Sequence, residues 1–185
     1  MTIHCAITYF DQKTESVGYL LGSDSRAVYS ERNSFIPIEC QVDKSILGKR
    51  TVGFVRGHLR GNNKDFSETL KILENNFENI EEGRNYSNLH QLKNFESYVL
   101  MIVKQTPEAL DLFTISNARE SDLNVAKRLH RIIPQMFNTE DTWFWYAPYR
   151  LDYLELKTNK MSFNEAKYSL KKLLTIYSKE LRAFF

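Results

Sequence analysis

The first part of the chain alternates short apolar runs with polar turns, a pattern typical of β-strands joined by hairpins. Each strand candidate is rich in β-branched or aromatic residues, and each pair of strands encloses a short polar or Gly- or Pro-containing turn. Three hairpins are therefore predicted. They join runs 3–10 and 17–23, runs 42–47 and 51–55, and runs 98–105 and 109–115.

Apolar residues at helical spacing predict helices in the remaining stretches. Residues 64–80 carry one apolar stripe and one charged face, and residues 125–136 show a basic helical pattern. Ser162 and Glu165 have the spacing of a capping box, which predicts a final helix that begins there and runs almost to Phe185.

This order of strands, helix, strands and helices predicts a single α+β layered domain over residues 1–185. Composition agrees, because 42% hydrophobic and 26% charged residues are ordinary values for a globular protein. A chain of this length buries about 70% of the surface that its unfolded form exposes.

The net charge and the lengths of the apolar runs indicate which partners and which cellular location to expect for the protein. A formal charge of +2 implies neither nucleic acid nor an anionic membrane. The longest apolar run, residues 98–103, is far shorter than the roughly 20 residues of a membrane-spanning helix. The start of the chain has no secretory pattern, and Cys5 and Cys40 do not form a disulfide framework. We therefore expect a cytoplasmic protein that does not bind membranes.

Several standard sites are absent from the sequence. It has no phosphate loop, no His-Glu-x-x-His pair and no Gly-x-Ser-x-Gly elbow. The four histidines are far apart in sequence, so neither a metal nor a cofactor is expected. They are His4, His58, His90 and His130.

Five polar or glycine residues at strand ends remain as candidates for chemistry. Each alone has an ordinary explanation, such as a turn ion pair or a solvated lysine. Taken together and in order, they resemble the proteasome β-subunit-like N-terminal nucleophile hydrolases, a group that includes bacterial ring peptidases. The residues that carry the resemblance are Thr2-Ile3, Gly22-Ser23-Asp24-Ser25-Arg26, Asp43-Lys44 and Val52-Gly53-Phe54-Val55-Arg56-Gly57.

The resemblance implies a fold and a mechanism. The fold would be a four-layer αββα sandwich. Thr2 would attack a carbonyl carbon, with its own α-amino group as the base after Met1 is removed. Lys44 would stabilise the developing alkoxide, and the Gly57 N–H would face the oxyanion. Asp24 would hold Lys44, and Arg26 would help to fix the loop.

The resemblance is weaker near the carboxyl end. The family's Gly-Ser-Gly loop is absent, with Ala147-Pro148-Tyr149 in that region, and the family continues beyond its last helix, whereas this sequence stops at Phe185. We expect this part of the fold to be truncated or rearranged.

The resemblance also implies substrate and partners. It predicts a threonine-type hydrolase that cleaves peptides or small amides, assembles into a homo-oligomeric ring and can cooperate with an ATPase unfoldase. The alternative is a catalytically inactive subunit that serves as a structural or assembly protein.

Two other interpretations concern single features. The basic stretch 127–131 and the aromatic run 143–146 could contact nucleic acid, but a solvated helix face and a buried strand explain them better. Cys5 could be an alternative nucleophile, yet its place inside the first strand favours a packed small residue.

Overall fold

A computed structural model describes ten stretches of the chain, which hold eleven β-strands and one complete helix. They divide between two compact units, Met1–Asp43 with Met136–Phe185, and Lys44–Gln135. The described stretches are 4–23, 28–31, 34–37, 44–59, 77–86, 95–116, 124–134, 141–147, 154–159 and 161–180.

The secondary structure is mostly β. The strands are β1 (His4–Asp11), β2 (Ser16–Ser23), β3 (Val28–Glu31), β4 (Ser34–Pro37), β5 (Ser45–Leu47), β6 (Thr51–Leu59), β7 (Phe95–Gln105), β8 (Leu110–Ser116), β9 (Lys127–Ile132), β10 (Asp141–Ala147) and β11 (Leu154–Asn159), and the helix is α1 (Phe163–Glu180).

The first unit contains a four-stranded antiparallel sheet in the order β11-β10-β1-β2 and a separate hairpin, β3-β4. β1 and β2 pair from His4 with Ser23 to Asp11 with Ser16, which confirms the first predicted hairpin. β1 lies inside this sheet, because it pairs with β10 on its other side.

Helix α1 covers one face of this sheet. The Ser162 N–H donates to Glu165 Oε2 at 2.8 Å, and the Glu165 N–H donates to Ser162 Oγ at 3.4 Å, so the predicted capping box is confirmed. Ala166 and Leu170 are buried in a cluster with Cys5 and Ile7 of β1. The spacing of the apolar residues thus places the predicted stripe of the helix on the sheet.

The second unit contains a five-stranded antiparallel sheet in the order β5-β6-β7-β8-β9. The β5-β6 and β7-β8 pairs confirm the other two predicted hairpins. Segment 77–86 contributes Phe77, Ile80 and Tyr86 to a buried cluster with residues of this sheet. Most of the predicted helix at 64–80 lies outside the described residues.

The predicted helical pattern at 125–136 is wrong. Residues Lys127–Ile132 form β9, and β9 pairs with β8. Asp111 of β8 is opposite Arg131, and the two side chains form an ion pair at 3.2 Å. Oppositely charged cross-strand neighbours favour strand pairing. The periodicity of residues 125–136 does not contain this contact, because Asp111 lies outside that stretch.

The prediction of a four-layer αββα sandwich is also wrong. The described residues form antiparallel sheets with one complete helix, not two sheets between two helical layers. One basic stretch expected to be helical is a strand, and turns make up much of segment 77–86. The four-layer expectation came from the family resemblance, whereas the hairpins predicted from the sequence pattern agree with the antiparallel sheets.

Candidate functional site

Three of the five residues that the sequence predicts as catalytic, Thr2, Asp24 and Arg26, lie outside the described residues. The nearest described neighbours in sequence are His4 for Thr2, Ser23 for Asp24 and Val28 for Arg26, and His4 and Ser23 are register partners at one end of the β1-β2 hairpin. Thr2, Asp24 and Arg26 belong to the first compact unit, whereas the other two residues belong to the second.

Lys44 directly precedes β5 and is buried, with 6% of its surface exposed. Its carbonyl oxygen accepts a hydrogen bond of 3.0 Å from the Val55 N–H, so the β5-β6 pairing continues to Lys44. Lysine is almost never buried in this way unless polar or charged groups compensate the lost hydration. The alternative explanation of Lys44 as a solvated strand lysine therefore does not describe this residue.

Gly57 lies on β6, opposite Tyr98 of β7. The Val55 N–H points toward β5, because it donates to Lys44. N–H groups two residues apart in an antiparallel strand point to the same side, so the Gly57 N–H also points away from β7. The hairpin therefore brings Lys44 and a backbone donor of Gly57 to the same side of β6.

Cys5 is not a suitable nucleophile. It is 1% exposed within β1, and its Sγ lies 3.6 Å from the Gly22 carbonyl oxygen. Burial raises the pKa of the Cys5 thiol to about 12, so the reactive thiolate is scarce at neutral pH. The structure confirms the interpretation of Cys5 as a packed small residue.

A row of polar side chains crosses the second sheet, and the sequence interpretation missed it. The residues are consecutive register partners on neighbouring strands, so their side chains share one face of the sheet. The sequence signal that could have indicated this row is Asp111, a charged residue within the mostly apolar run of β8. The row consists of Thr51, Lys104, Asp111 and Arg131.

Segment 78–82 is bound to this region at three points. The Thr51 hydroxyl donates to Glu78 Oε2 at 3.0 Å, and Lys104 Nζ donates to the Ile80 carbonyl oxygen at 2.9 Å. Glu82 pairs with Arg128 of β9 at 2.6 Å. Polar contacts with β6, β7 and β9 thus hold an irregular segment against the sheet.

Within the stretches that the structure describes, no three His, Cys, Asp or Glu side chains are placed to hold a metal ion. No helix of these stretches has both the length and the apolar character needed to cross a membrane.

Comparisons with protein-family models, with curated proteins and with solved structures found no match.

Proposed function

We propose that the chain is an N-terminal threonine hydrolase that cleaves peptides or small amides, with Thr2 as the nucleophile after removal of Met1. The proposal comes from the resemblance of Thr2, Asp24, Arg26, Lys44 and Gly57, in that order, to the site residues of N-terminal nucleophile hydrolases. The observation that supports it is the burial of Lys44, which belongs to the same β5-β6 hairpin as Gly57.

The chemistry starts from the terminal amine. A free α-amino group has a pKa of about 7.7–8.0, so at neutral pH a useful fraction is unprotonated and can accept the proton of the Thr2 hydroxyl. Thr2 Oγ attacks the substrate carbonyl, and the resulting oxyanion accepts a hydrogen bond from the Gly57 N–H. The amine then gives the proton to the leaving nitrogen as the C–N bond breaks, which leaves the acyl group as an ester on Thr2 Oγ. Water hydrolyses this ester and restores the free hydroxyl.

Lys44 has an electrostatic role in this proposal. Its ammonium group is removed from most of the solvent, where a positive charge interacts more strongly with a developing alkoxide than it does in water. Asp24 positions Lys44, and Arg26 stabilises the loop that follows β2.

The proposal includes assembly into a homo-oligomeric ring with helices at the subunit contacts and with an ATPase unfoldase as partner. The exposed side of α1 supports a contact there, because Tyr168 is 69% exposed and Ile176 is 40% exposed. A defined oligomer should appear by analytical ultracentrifugation, and Tyr168→Ser should weaken it. A monomer at all concentrations contradicts the assembly.

The test of the nucleophile uses protein whose mass shows that it begins at Thr2. A β-lactone probe should add one equivalent to this protein and none to Thr2→Ala, while Thr2→Ser keeps reactivity. Thr14→Ala, which removes an exposed hydroxyl in the β1-β2 turn, is the matched control and should react normally. Protein that retains Met1 should not react, because its Thr2 nitrogen is an amide.

The role of Lys44 is tested by Lys44→Met, which retains an unbranched chain without the charge. Labelling should slow by a factor of 10² or more, the size of effect typical of a lost transition-state charge contact. Far-ultraviolet circular dichroism establishes that the variant is folded. Absence of labelling in correctly processed, folded wild-type protein overturns the proposal and favours the structural or assembly subunit.

A further inference from the structure

A surface cleft of about 440 Å³ lies at the end of the second sheet where the β5-β6 and β7-β8 turns meet. The Gln105 N–H donates to the Arg50 carbonyl oxygen at 2.8 Å and so ties the two turns together. Residues 78–79 form the third wall. This volume lies within the range of about 300–1,000 Å³ that is typical of small-molecule sites.

The cleft is positively charged. Its lining includes three cations, Lys49, Arg50 and Lys104, and one carboxylate, Glu78. None of the three cations forms an ion pair with a carboxylate in the described stretches, whereas Arg128 and Arg131 of the same unit are paired with Asp111. Positive charge is therefore concentrated in the cleft and compensated elsewhere on the sheet.

The single carboxylate of the cleft is already engaged with neutral donors. Glu78 Oε1 accepts from the Arg50 N–H at 2.8 Å, and Glu78 Oε2 accepts from the Thr51 hydroxyl at 3.0 Å. Gly48 leaves room for it, because a Cβ on Gly48 would clash with Glu78 Oε2. Glu78 thus holds the wall in place, and the cationic side chains retain donors for a ligand.

We propose that this cleft binds the phosphate group of a small soluble phosphate monoester. A monoester carries a charge of about −1.5 to −2 at pH 7. This charge is opposite in sign to that of the cleft, whose lining has three cations and one carboxylate. Arg50 supplies a planar fork of donors for phosphate oxygens, and Lys49 and Lys104 supply point charges. The cleft is larger than a phosphate ion, and Asn79 and Thr106 line the space for the organic part.

This site is independent of the proposed hydrolase. It shares no residue with Thr2, Asp24, Arg26, Lys44 or Gly57, and its test measures binding only.

The experiment titrates the full chain with glycerol 3-phosphate by isothermal calorimetry, with glycerol as the uncharged control. Saturable binding is expected for the phosphate ester and none for glycerol. Arg50→Gln should weaken binding about tenfold or more, since it removes charge-assisted hydrogen bonds. Lys49→Gln should weaken it in the same direction, and both side chains are exposed, so both variants should fold.

The matched control is Lys13→Gln, which removes an exposed lysine from the β1-β2 turn of the other unit. Its affinity should equal that of the wild type. An equal loss in Lys13→Gln, unchanged binding in Arg50→Gln, or no saturable binding to glycerol 3-phosphate overturns the proposal. Sedimentation with phosphatidic acid vesicles tests whether the cleft binds a lipid phosphate instead. Binding to these vesicles without binding to glycerol 3-phosphate would also contradict the proposal.

Discussion

Gly53 of β6 approaches Met101 of β7 so closely that no side chain fits between them. A Cβ built on Gly53 would clash with the Met101 carbonyl oxygen and would lie 2.9 Å from the Ile102 Cα. The atoms in the way belong to backbone in the middle of the sheet, so they cannot move aside as the end of a flexible side chain can. Glycine at this position is a requirement of the strand pairing.

Gly53→Ala should therefore destabilise the protein by about 1–3 kcal/mol or more, the cost of overpacking a rigid site. Urea unfolding, followed by circular dichroism, measures the change. The control is Gly83→Asn, because Gly83 has a φ of 77° and nothing lies within 4 Å of its added Cβ. Asparagine tolerates this conformation, so we expect a much smaller loss. Equal losses in the two variants would contradict the clash.

Asp111 connects two arginines of β9 from a buried position. It is 5% exposed, and its Oδ1 lies 3.2 Å from Arg131 Nε and 3.7 Å from Arg128 Nη1. Asp111→Ala should cost about 1–3 kcal/mol in unfolding free energy, because two partly exposed arginines lose the buried carboxylate with which they form ion pairs. The matched variant Glu82→Ala removes the half-exposed partner of Arg128 and should cost about 0–1 kcal/mol. A larger loss of unfolding free energy in Glu82→Ala than in Asp111→Ala, measured by urea unfolding, would show that burial of the carboxylate does not determine the loss.

The reactivity of Cys5 should report on global unfolding. Burial raises its pKa from 9.0 to about 12. In a Cys40→Ser background at pH 8, alkylation of the folded protein should be slower than that of the urea-unfolded protein by a factor on the order of 10³. Mass spectrometry measures both rates. Similar rates would contradict the burial of the thiol.

The same pKa difference makes stability depend on pH. The folded thiol keeps its proton to higher pH than the unfolded thiol, so its contribution is complete below pH 9 and is lost as pH rises toward 12. The stability advantage of the Cys40→Ser protein over the Cys5→Ala, Cys40→Ser protein should therefore decrease over this window.

The capping box of α1 predicts the opposite pH dependence. Hydrogen bonds from the Ser162 N–H and hydroxyl hold the pKa of Glu165 below its ordinary value of 4.5. The stabilisation is thus present above pH 4.5 and is lost as pH falls through the lowered pKa. Ser162→Ala should destabilise the protein by about 1 kcal/mol at pH 7, as the loss of an N-cap residue does.

The difference between wild type and Ser162→Ala should become smaller in acid. Thr175→Ala serves as the control, since Thr175 donates to the Lys171 carbonyl oxygen inside the helix and has no capping role. Thermal unfolding at pH 7 and pH 3 measures both variants. A loss in Ser162→Ala that does not change with pH would exclude a contribution from the Glu165 carboxylate.

Of the candidate site, only the placement of Lys44 and Gly57 on one hairpin followed from local sequence. The hairpin predicted around Gly48 is sufficient to place Lys44 and Gly57 on the same sheet, because the turn determines the register of its two strands. The burial of Lys44 did not follow, since it depends on residues distant in sequence. The assignments of Thr2, Asp24 and Arg26 and of a single domain over residues 1–185 stay predictions.

The sequence by itself determined the three hairpins and the start of α1. Their causes are local: polar turns between β-rich runs, and a capping box at Ser162 followed by an apolar stripe. Only the tertiary structure decided that β10 lies beside β1 and that residues 127–132 form a strand beside β8. Strand pairing joins backbone groups that are far apart along the chain, and its free energy comes from cross-strand contacts such as Asp111 with Arg131, which no local window of sequence contains.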